Sequence, residues 1–455
     1  MTGMSMQGAG SSGISYQQVL DGDPVPPIPA LRTPGDPLPG GEPLAIGVDR
    51  YLSREFADLE RERLWGDSWQ FACRLEHIPA VGDHALYEVA DQSIIVARSG
   101  VDRIQAFRNT CRHRGTTLVE GRGNTAVFKC PFHGFAWSID GTFRGMPAAW
   151  DFPHAKADAL RLGEVAVAVW QGFVFVHPGP DPEPFEAFSH PLDDHFAQHP
   201  LAHRVVAHHA CQVVHANWKA TMEAFLEAYH ISSTHGHTIR FANDFDCQYD
   251  LFGPNVSRLL QAIGVPATAL QGTVPGAEIV RTVQKMLPAA DRIAEVPDDV
   301  DVRAFLGQRF RASYSRRWGV DLSAASDAEL LDSIQYFLFP NFAPWMGWSL
   351  PIAYRFRPWG DDPGRSLMEI MLLHPVAPGA SREPAAEHWL EPGETWTHAP
   401  GFEALGMVVD QDIANLHRVQ RGMRADPTHQ LLLADYQESR IAHFHRRLNH
   451  QLGLA

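Results

Sequence analysis

Two short pairs of metal-binding residues constrain this chain more than any other feature of its sequence. Cys111 and His113 are separated by one residue, Cys130 and His133 by two, and sixteen residues lie between the pairs. That interval is long enough for a hairpin that brings the two pairs together. Each pair offers one thiolate and one imidazole, a mixture that suits borderline-soft metals rather than magnesium or calcium.

Ligand count alone leaves two kinds of metal site open. A zinc ion takes two cysteines and two histidines in one tetrahedral site, whereas a Rieske [2Fe–2S] cluster takes the cysteines on one iron and the histidines on the other. A zinc finger usually places its second ligand pair on a helix, but here both pairs mix cysteine with histidine. Gly115 and Gly134 follow the pairs closely, as tight loops over a cluster require, and the flanking segments are typical of β-strands.

The segments CRHRG and CPFHG, at residues 111–115 and 130–134, resemble the Rieske motif of ring-hydroxylating non-haem iron oxygenases. The resemblance implies that Cys111 and Cys130 bind one iron of a [2Fe–2S] cluster and that His113 and His133 bind the other. Phe132 stands where members of this family commonly have tyrosine. A hydroxyl that tunes the redox potential of such a cluster by hydrogen bonding is therefore missing.

A second candidate metal site follows in the segment NWKATMEAFLEAYH, residues 217–230, which is predicted to form one helix. On that helix Glu223, Glu227 and His230 would share one face. The next residues, ISSTHG, favour the end of a helix. His230 and His235 lie five residues apart and can share a metal only if the helix ends between them. Two histidines and one carboxylate make the facial triad of non-haem Fe(II) oxygenases.

The same family resemblance extends to this segment, and it implies that a mononuclear iron binds His230 and His235. In the family the third ligand is an aspartate near the start of a long C-terminal helix, ahead of a Gln-x-Gly. The matching segment is GMVVDQDIANLHRVQRG, residues 406–422, so Asp412 is the expected ligand and Asp410 the alternative.

Glu227 occupies the position of the family's bridging carboxylate. The resemblance implies that it links His133 of one subunit to His230 of the next, so that electrons pass between the two metal centres. A carboxylate that accepts N–H bonds from both imidazoles would also fix their tautomers. Asn217 and Glu223 are further candidates for a place around the iron, with a purely structural role as the alternative.

The predicted fold class is α+β. An all-β Rieske [2Fe–2S] domain is expected first, followed by a catalytic domain in which helices flank an antiparallel β-sheet, a helix-grip-like arrangement. The expected divisions are an extended N-terminal arm at residues 1–45, the Rieske domain at 46–180 and the catalytic mononuclear non-haem iron domain at 181–455. Further expected elements are helices at 53–69 and 436–452, two strands within 334–359, a strand at 366–376, and short helices and loops at 250–330 that cover the iron site.

Composition excludes several other classes of protein. The net charge of −15 argues against a nucleic-acid binder, and the longest apolar run is too short to cross a membrane. Five cysteines, an odd and sparse set, do not form a disulfide framework and fit a reducing cytoplasm. Basic residues nevertheless surround the Cys/His pairs, as a solvated surface or as a docking patch for an acidic electron donor. They are Arg103, Arg108, Arg112, Arg114, Arg122 and Lys129.

The resemblance implies a terminal oxygenase component that uses O2 and external electrons to cis-dihydroxylate or monooxygenate a hydrophobic, typically aromatic small molecule. Its electron donor would be a ferredoxin, an NAD(P)H-dependent reductase, or both. The intersubunit bridge predicts a homotrimer, with room for a β-subunit. Glu227 also resembles the branch that oxidises quaternary amines, so a monooxygenase or demethylase acting on a quaternary amine or on a methoxy or N-methyl group is the alternative. A Rieske electron carrier and a zinc-stabilised binding protein are alternatives from other classes.

Overall fold

The computed structural model describes residues 13–36, 45–376, 379–425, 427 and 430–454. The remaining parts of the predicted N-terminal arm, residues 1–12 and 37–44, lie outside this description. Among the described helices, none combines the length and the apolarity needed to span a bilayer.

Helices and strands alternate irregularly along the described chain. The α-helices are α1 Tyr16–Asp21, α2 Pro29–Arg32, α3 Asp49–Leu52, α4 Arg54–Arg63, α5 Phe185–Phe188, α6 Leu192–Phe196, α7 Trp218–Glu223, α8 Ile231–Thr234, α9 Gly276–Val283, α10 Val302–Trp318, α11 Asp327–Leu331, α12 Gly406–Ala425 and α13 Ser439–Leu452. The strands are β1 Ile46–Gly47, β2 Gln70–Arg74, β3 Asp83–Val89, β4 Gln92–Gly100, β5 Arg103–Arg108, β6 Arg122–Asn124, β7 Val127–Lys129, β8 Ala136–Ser138, β9 Phe143–Gly145, β10 Glu164–Trp170, β11 Phe173–His177, β12 Arg204–Val214, β13 Gln248–Phe252, β14 Val256–Gln261, β15 Ser333–Leu338, β16 Phe342–Met346, β17 Ile352–Pro358, β18 Ser366–Pro375, β19 Glu387–Trp389 and β20 Gln430–Leu431.

Strands β2 to β11 form the first of two β-rich units. Seven of them make a sheet in the order β2-β11-β10-β5-β4-β3-β6, and β7, β8 and β9 make a small meander beside it. All of these pairs are antiparallel. The meander packs on the larger sheet through a buried apolar cluster that includes Phe107, Phe128 and Trp137. The two Cys/His segments are the loops between β5 and β6 and between β7 and β8.

An eight-stranded sheet forms the second unit, in the order β13-β14-β15-β16-β17-β18-β12-β19. Its pairs are antiparallel except for β12 with β19. Helix α7 packs on β17 and β18, and α12 packs on α7. The predicted α+β class, an all-β unit followed by an antiparallel sheet with helices, is therefore confirmed. Residues 334–359 contain parts of three strands rather than the two predicted.

The other face of the eight-stranded sheet rests on the first unit. Arg355 on β17 donates hydrogen bonds from Nη1 to the carbonyl oxygens of Phe71 and Ala72 on β2. The ring of Phe342 packs on Phe71 and Phe173 at centroid distances of 5.1 and 4.8 Å. This contact gives the two units one continuous apolar core.

Two expectations for the N-terminal part are wrong. The described part of residues 1–45 is not extended, since it contains α1 and α2, and Tyr16 is buried with its hydroxyl donating to Asp332. The sequence places residues 46–63 in the first unit, but in the structure they pack on the second. Strand β1 pairs with β20 near the C-terminus, and Glu60 on α4 forms a buried ion pair with Lys219 on α7.

The prediction for residues 250–330 also needs correction. Strands β13 and β14 belong to the eight-stranded sheet, so this segment does not begin as loops. It continues with α9 and the 17-residue helix α10, which share a second apolar cluster. Phe310, Tyr314 and Trp318 on α10 are buried in that cluster, so they serve packing.

Candidate metal centres

The two Cys/His loops fold in the same way. Gly115 N donates to Cys111 O and Gly134 N donates to Cys130 O, both at 3.0 Å. Both glycines have a positive φ, 78° for Gly115 and 73° for Gly134, a conformation that residues with a Cβ rarely adopt. Each glycine thereby folds its loop back over the cysteine that opens it.

The four candidate cluster ligands lie on these loops. Both thiols are buried. Burial by itself raises the pKa of the Cys130 thiol, but hydrogen bonds from the backbone N–H groups of His133 and Phe132 bring that pKa below its ordinary value. The rings of His113 and His133 have a centroid distance of 4.8 Å. His113 Nδ1 is buried and has no hydrogen-bond partner in the described chain. An orphaned imidazole nitrogen near a thiol that backbone N–H groups stabilise in its charged form fits a metal cluster.

The surface around these loops is both basic and apolar. Phe132 is 57% exposed and Trp150 is 82% exposed, and the Arg114 guanidinium lies 5.4 Å from the centroid of the Phe132 ring. Arg122 does not belong to a free basic patch, because its Nη2 lies 2.6 Å from Glu387 Oε1 on the second unit. The other five basic residues of this region are exposed.

The predicted helix at 217–230 is wrong in its extent, since α7 ends at Glu223. The chain then turns, so Glu223, Glu227 and His230 do not share a helical face. Glu227 instead reaches His230 through a local turn. Its Oε2 accepts a hydrogen bond from His230 N at 3.0 Å, and its Oε1 lies 2.6 Å from His230 Nδ1. This contact directs His230 Nε2 away from Glu227.

Three side chains converge at the end of this turn. His235 Nε2 lies 3.0 Å from Asp412 Oδ1 and 3.2 Å from His230 Nε2, and His230 Nε2 lies 3.5 Å from the same carboxylate oxygen. A metal held about 2.1 Å from three donors at right angles places those donors roughly 3.0 Å apart. Burial lowers the pKa of His230, but its contacts with Asp412 and Glu227 raise that pKa to about 10. The donor set thus favours a cation and fits a facial triad.

Gln411 completes this constellation, and it was missed in the sequence. Its Oε1 lies 2.7 Å from His235 Nδ1, so it holds the second imidazole as Glu227 holds the first. Metal-binding histidines almost always donate their other ring N–H to such a partner. The position of Gln411 directly before Asp412 was the available signal in the sequence. An amide side chain at a single helix position is too common to indicate a role at a metal site.

The remaining candidates lie away from the three converging side chains. Asp410 accepts hydrogen bonds from the backbone N–H groups of Trp396 and Thr397, so it caps that segment. Asn217 is the N-cap of α7. Glu223 accepts from the Tyr51 hydroxyl and contacts His445 Nε2 at 2.8 Å.

A third group of metal-binding residue types, His209, Cys211 and Glu369, is buried on the eight-stranded sheet. Its carboxylate is already occupied. Arg355 and Arg357 both donate to Glu369. Burial raises the pKa of Glu369, but these two guanidinium groups hold it well below its usual value. The guanidinium groups of Arg355 and Arg357 already neutralise the Glu369 carboxylate, so no negative charge is left for a metal ion and this group is structural.

Two protein-family models match the chain. The model described as "Ring hydroxylating alpha subunit (catalytic domain)" matches residues 196–454, which is more than half of the chain. The model described as "Rieske [2Fe-2S] domain" matches residues 68–171. The first match contains His230, His235 and Asp412, and the second contains both Cys/His loops.

Individual relatives align with part of the chain. The chain is 33% identical over 196 residues to the glycine betaine monooxygenase oxygenase subunit of Chromohalobacter salexigens. This alignment covers 42% of the chain and 43% of the relative. The chain is also 33% identical over 205 residues to the N,N-dimethyl phenylurea N-demethylase subunit alpha of Sphingobium sp. This alignment covers 42% of the chain and 45% of the relative. The chain thus spans less than half the length of these curated relatives.

A solved structure extends the likeness to nearly the whole fold. The structure is that of naphthalene 1,2-dioxygenase with indole bound in its active site, and it superimposes on 90% of this chain and 92% of its own length with a TM-score of 0.64. The sequence identity is 17%, so this comparison shows a shared architecture.

Proposed function

This chain belongs to the ring-hydroxylating alpha-subunit family, and from that premise we propose that it is the terminal oxygenase component of a multicomponent oxygenase. The cofactors of its two domains are a Rieske [2Fe–2S] cluster and a mononuclear iron. When bound, the cluster supplies electrons and the mononuclear iron supplies the site where O2 is activated. Cys111, Cys130, His113 and His133 would hold the cluster. His230, His235 and Asp412 would hold the iron.

The convergence of His230, His235 and Asp412 is the observation that carries this proposal. A Rieske electron carrier needs no second metal site, and a zinc-stabilised binding protein needs no facial arrangement of three ligands. Both imidazoles are held from behind, by Glu227 and Gln411. Fixing the rings in this way would hold His230, His235 and Asp412 as three ligands of an iron, which would supply the site where O2 is activated.

Glu227 is proposed as the link between the two centres. Within the described residues, its carboxylate forms hydrogen bonds with His230 and none with His133. A bond to a cluster histidine therefore requires His133 of a second copy of the chain. A homotrimer is the simplest closed ring in which Glu227 of every chain contacts the cluster histidine of one neighbour and its own cluster histidine is contacted by the other neighbour.

Substrate and donor follow from the surroundings of the two sites. Aromatic side chains of β16 and β17 face the segment that carries the iron ligands, which favours a hydrophobic, aromatic substrate. A ferredoxin or an NAD(P)H-dependent reductase is the proposed donor, docked at the exposed basic residues around the cluster loops. The five cysteines are buried and unpaired, which supports a cytoplasmic location.

An amine substrate is the second candidate function. The two relatives named above are a glycine betaine monooxygenase subunit and a phenylurea N-demethylase subunit. Glu227, where aromatic dioxygenases of the family have aspartate, favours the same branch. The reaction would then be a monooxygenation at an N-methyl group.

Glu227→Gln tests the proposed role of the carboxylate. The variant should keep about three irons and two acid-labile sulfides per chain but should lose most of its O2-dependent product formation. Glu223→Gln is the matched control, because that carboxylate contacts Tyr51 and His445 instead. Normal turnover in Glu227→Gln would refute the bridge. Zinc without sulfide in the native protein would refute the oxygenase itself.

A further inference from the structure

One face of the eight-stranded sheet carries a row of aromatic side chains. In the register of β16 and β17, Ala343 pairs with Tyr354, so Trp345, two residues further on, lies on the same face as Tyr354 and Phe356. Phe225, from the turn after α7, packs on Tyr354 at 5.2 Å and on Phe356 at 5.7 Å. Arg355 points to the opposite face, toward the first unit. The row therefore faces the segment that carries the iron ligands.

Two polar groups in this row have no partner. Trp345 Nε1 is buried and has no hydrogen-bond partner among the described residues. The hydroxyl of Tyr354, a residue that is 2% exposed, likewise forms no hydrogen bond with a described residue. The other tyrosines on strands of this sheet are bonded. The Tyr249 hydroxyl accepts from Ala228 N, and the Tyr336 hydroxyl accepts from Arg258. A buried indole N–H is normally satisfied, so the unpaired Trp345 donor, beside the Tyr354 hydroxyl, indicates a place where a ligand supplies the acceptor.

The segment that packs on Tyr354 leads directly to the iron ligands. Phe225, which packs on Tyr354, precedes Glu227 by two residues. Burial, and after it the negative charge of Asp412, raises the pKa of Tyr354 well above its ordinary value. The hydroxyl consequently stays protonated and acts as a donor, as the indole N–H does at any pH. Both groups can therefore donate a hydrogen bond to an oxygen or another acceptor on a bound molecule.

The arrangement of the rings argues against a cage for a cation. Trp345 lies 6.0 Å from Tyr354, and Tyr354 lies 5.8 Å from Phe356, between ring centroids. Rings at these distances touch one another and form a continuous wall. A quaternary ammonium enclosed between two rings lies over the face of each, within about 6 Å of both centroids. Neither of these ring pairs is face to face, because their planes are inclined at 79° and 42°. The wall offers ring edges and faces against which an aromatic molecule packs edge-to-face or offset.

We propose that Tyr354 and Trp345 bind an acceptor oxygen of the substrate, which is then an uncharged aromatic compound with an ether, hydroxyl or carbonyl group. The aromatic wall binds the ring, and the two donors fix its orientation relative to the iron ligands. This inference rests on the proposed function and selects its aromatic form over the quaternary amine. Tyr354 and Trp345 determine specificity and do not take part in the chemistry.

Three probes of similar shape test the inference by equilibrium binding to the anaerobic holoenzyme, without turnover. Anisole carries the ether oxygen, ethylbenzene replaces that oxygen with a methylene group, and phenyltrimethylammonium carries the cation. We expect anisole to bind about tenfold more tightly than ethylbenzene, as one hydrogen bond to a buried donor implies. Tyr354→Phe, which removes only the hydroxyl, should reduce that preference several-fold while affinity for ethylbenzene stays unchanged. Trp345→Phe should reduce the preference several-fold as well.

Tyr314→Phe is the matched control, because it removes a buried tyrosine hydroxyl from the cluster around α10 and should keep the preference for anisole. Equal affinities for anisole and ethylbenzene, tightest binding of phenyltrimethylammonium, or no binding of any probe would each overturn the inference. Iron and sulfide are measured first in every preparation. A missing third iron would contradict the proposed function, whereas a missing ligand preference in a fully loaded protein contradicts only this inference.

Discussion

Gln411 offers a sharp test of how the chain holds its mononuclear metal site. Its Oε1 lies 2.7 Å from His235 Nδ1, and leucine has a similar size but accepts no hydrogen bond. Loss of such a partner typically costs 10- to 100-fold in metal affinity, which equals about 1.4–2.8 kcal/mol. His235 is only 3% exposed, so water has little access to replace the amide oxygen. We therefore expect Gln411→Leu to weaken Fe(II) binding by about 100-fold.

Anaerobic titration of the apo site with Fe(II) against a competing chelator measures this change. Acid-labile sulfide serves as the internal reference, because the cluster loops do not contact Gln411 and should stay loaded. Asn415→Leu is the matched control, since that amide lies one turn further along α12 and donates to the Thr234 hydroxyl, whereas the Gln411 amide accepts from an imidazole. A change in affinity of less than threefold for Gln411→Leu would mean that the backbone alone orients His235, and the reasoning would be wrong.

Three further changes test other parts of the structure. Lys219→Met should lower the free energy of unfolding, measured in urea, by about 3–5 kcal/mol, because it leaves Glu60 buried without its partner. Adding Glu60→Gln should restore most of that loss. Equal stability of the single and the double variant would contradict this reasoning. His230→Ala should remove the mononuclear iron and leave the cluster spectrum intact in EPR, and loss of the cluster would show that the two sites depend on each other. Arg112→Glu with Lys129→Glu should slow reduction by an acidic ferredoxin at low salt in stopped-flow experiments and remove its salt dependence, while an unchanged rate would assign donor docking to another surface.

The candidate cluster ligands and the candidate iron histidines could be named from the sequence because their motifs are local, whereas the distant Asp412 was named from the family resemblance. The cluster loops depend on the spacing of Cys111 to Gly115 and of Cys130 to Gly134, where glycine provides the positive φ that the turn requires. The antiparallel sheets were likewise visible in apolar runs rich in strand-forming residues, such as β10 and β18. Short-range patterns of this kind need no knowledge of the rest of the chain.

Residues whose roles depend on distant partners could not be predicted. Gln411 and Tyr354 are ordinary residues in an amphipathic helix and a buried strand until the fold places them beside His235 and Phe225. The N-terminal helix α1 was missed for a similar reason. A segment rich in glycine and proline has low intrinsic order, but Tyr16 gains burial and a bond to Asp332, 316 residues away.

The end of α7 shows most clearly how tertiary contacts override local preference. Residues 217–230 have good helix formers, and a continuous helix would satisfy their backbone groups internally. In the structure, distant side chains take over that role, since the Tyr249 hydroxyl accepts from Ala228 N at 3.0 Å and Arg440 Nη1 donates to Leu226 O at 2.9 Å. The sheet and α13 thereby stabilise a turn that the segment alone would not form. Because Glu227 and His230 lie on that turn, their contact at 2.6 Å is a product of the whole fold. Tyr249→Phe should accordingly disturb the mononuclear site more than the cluster.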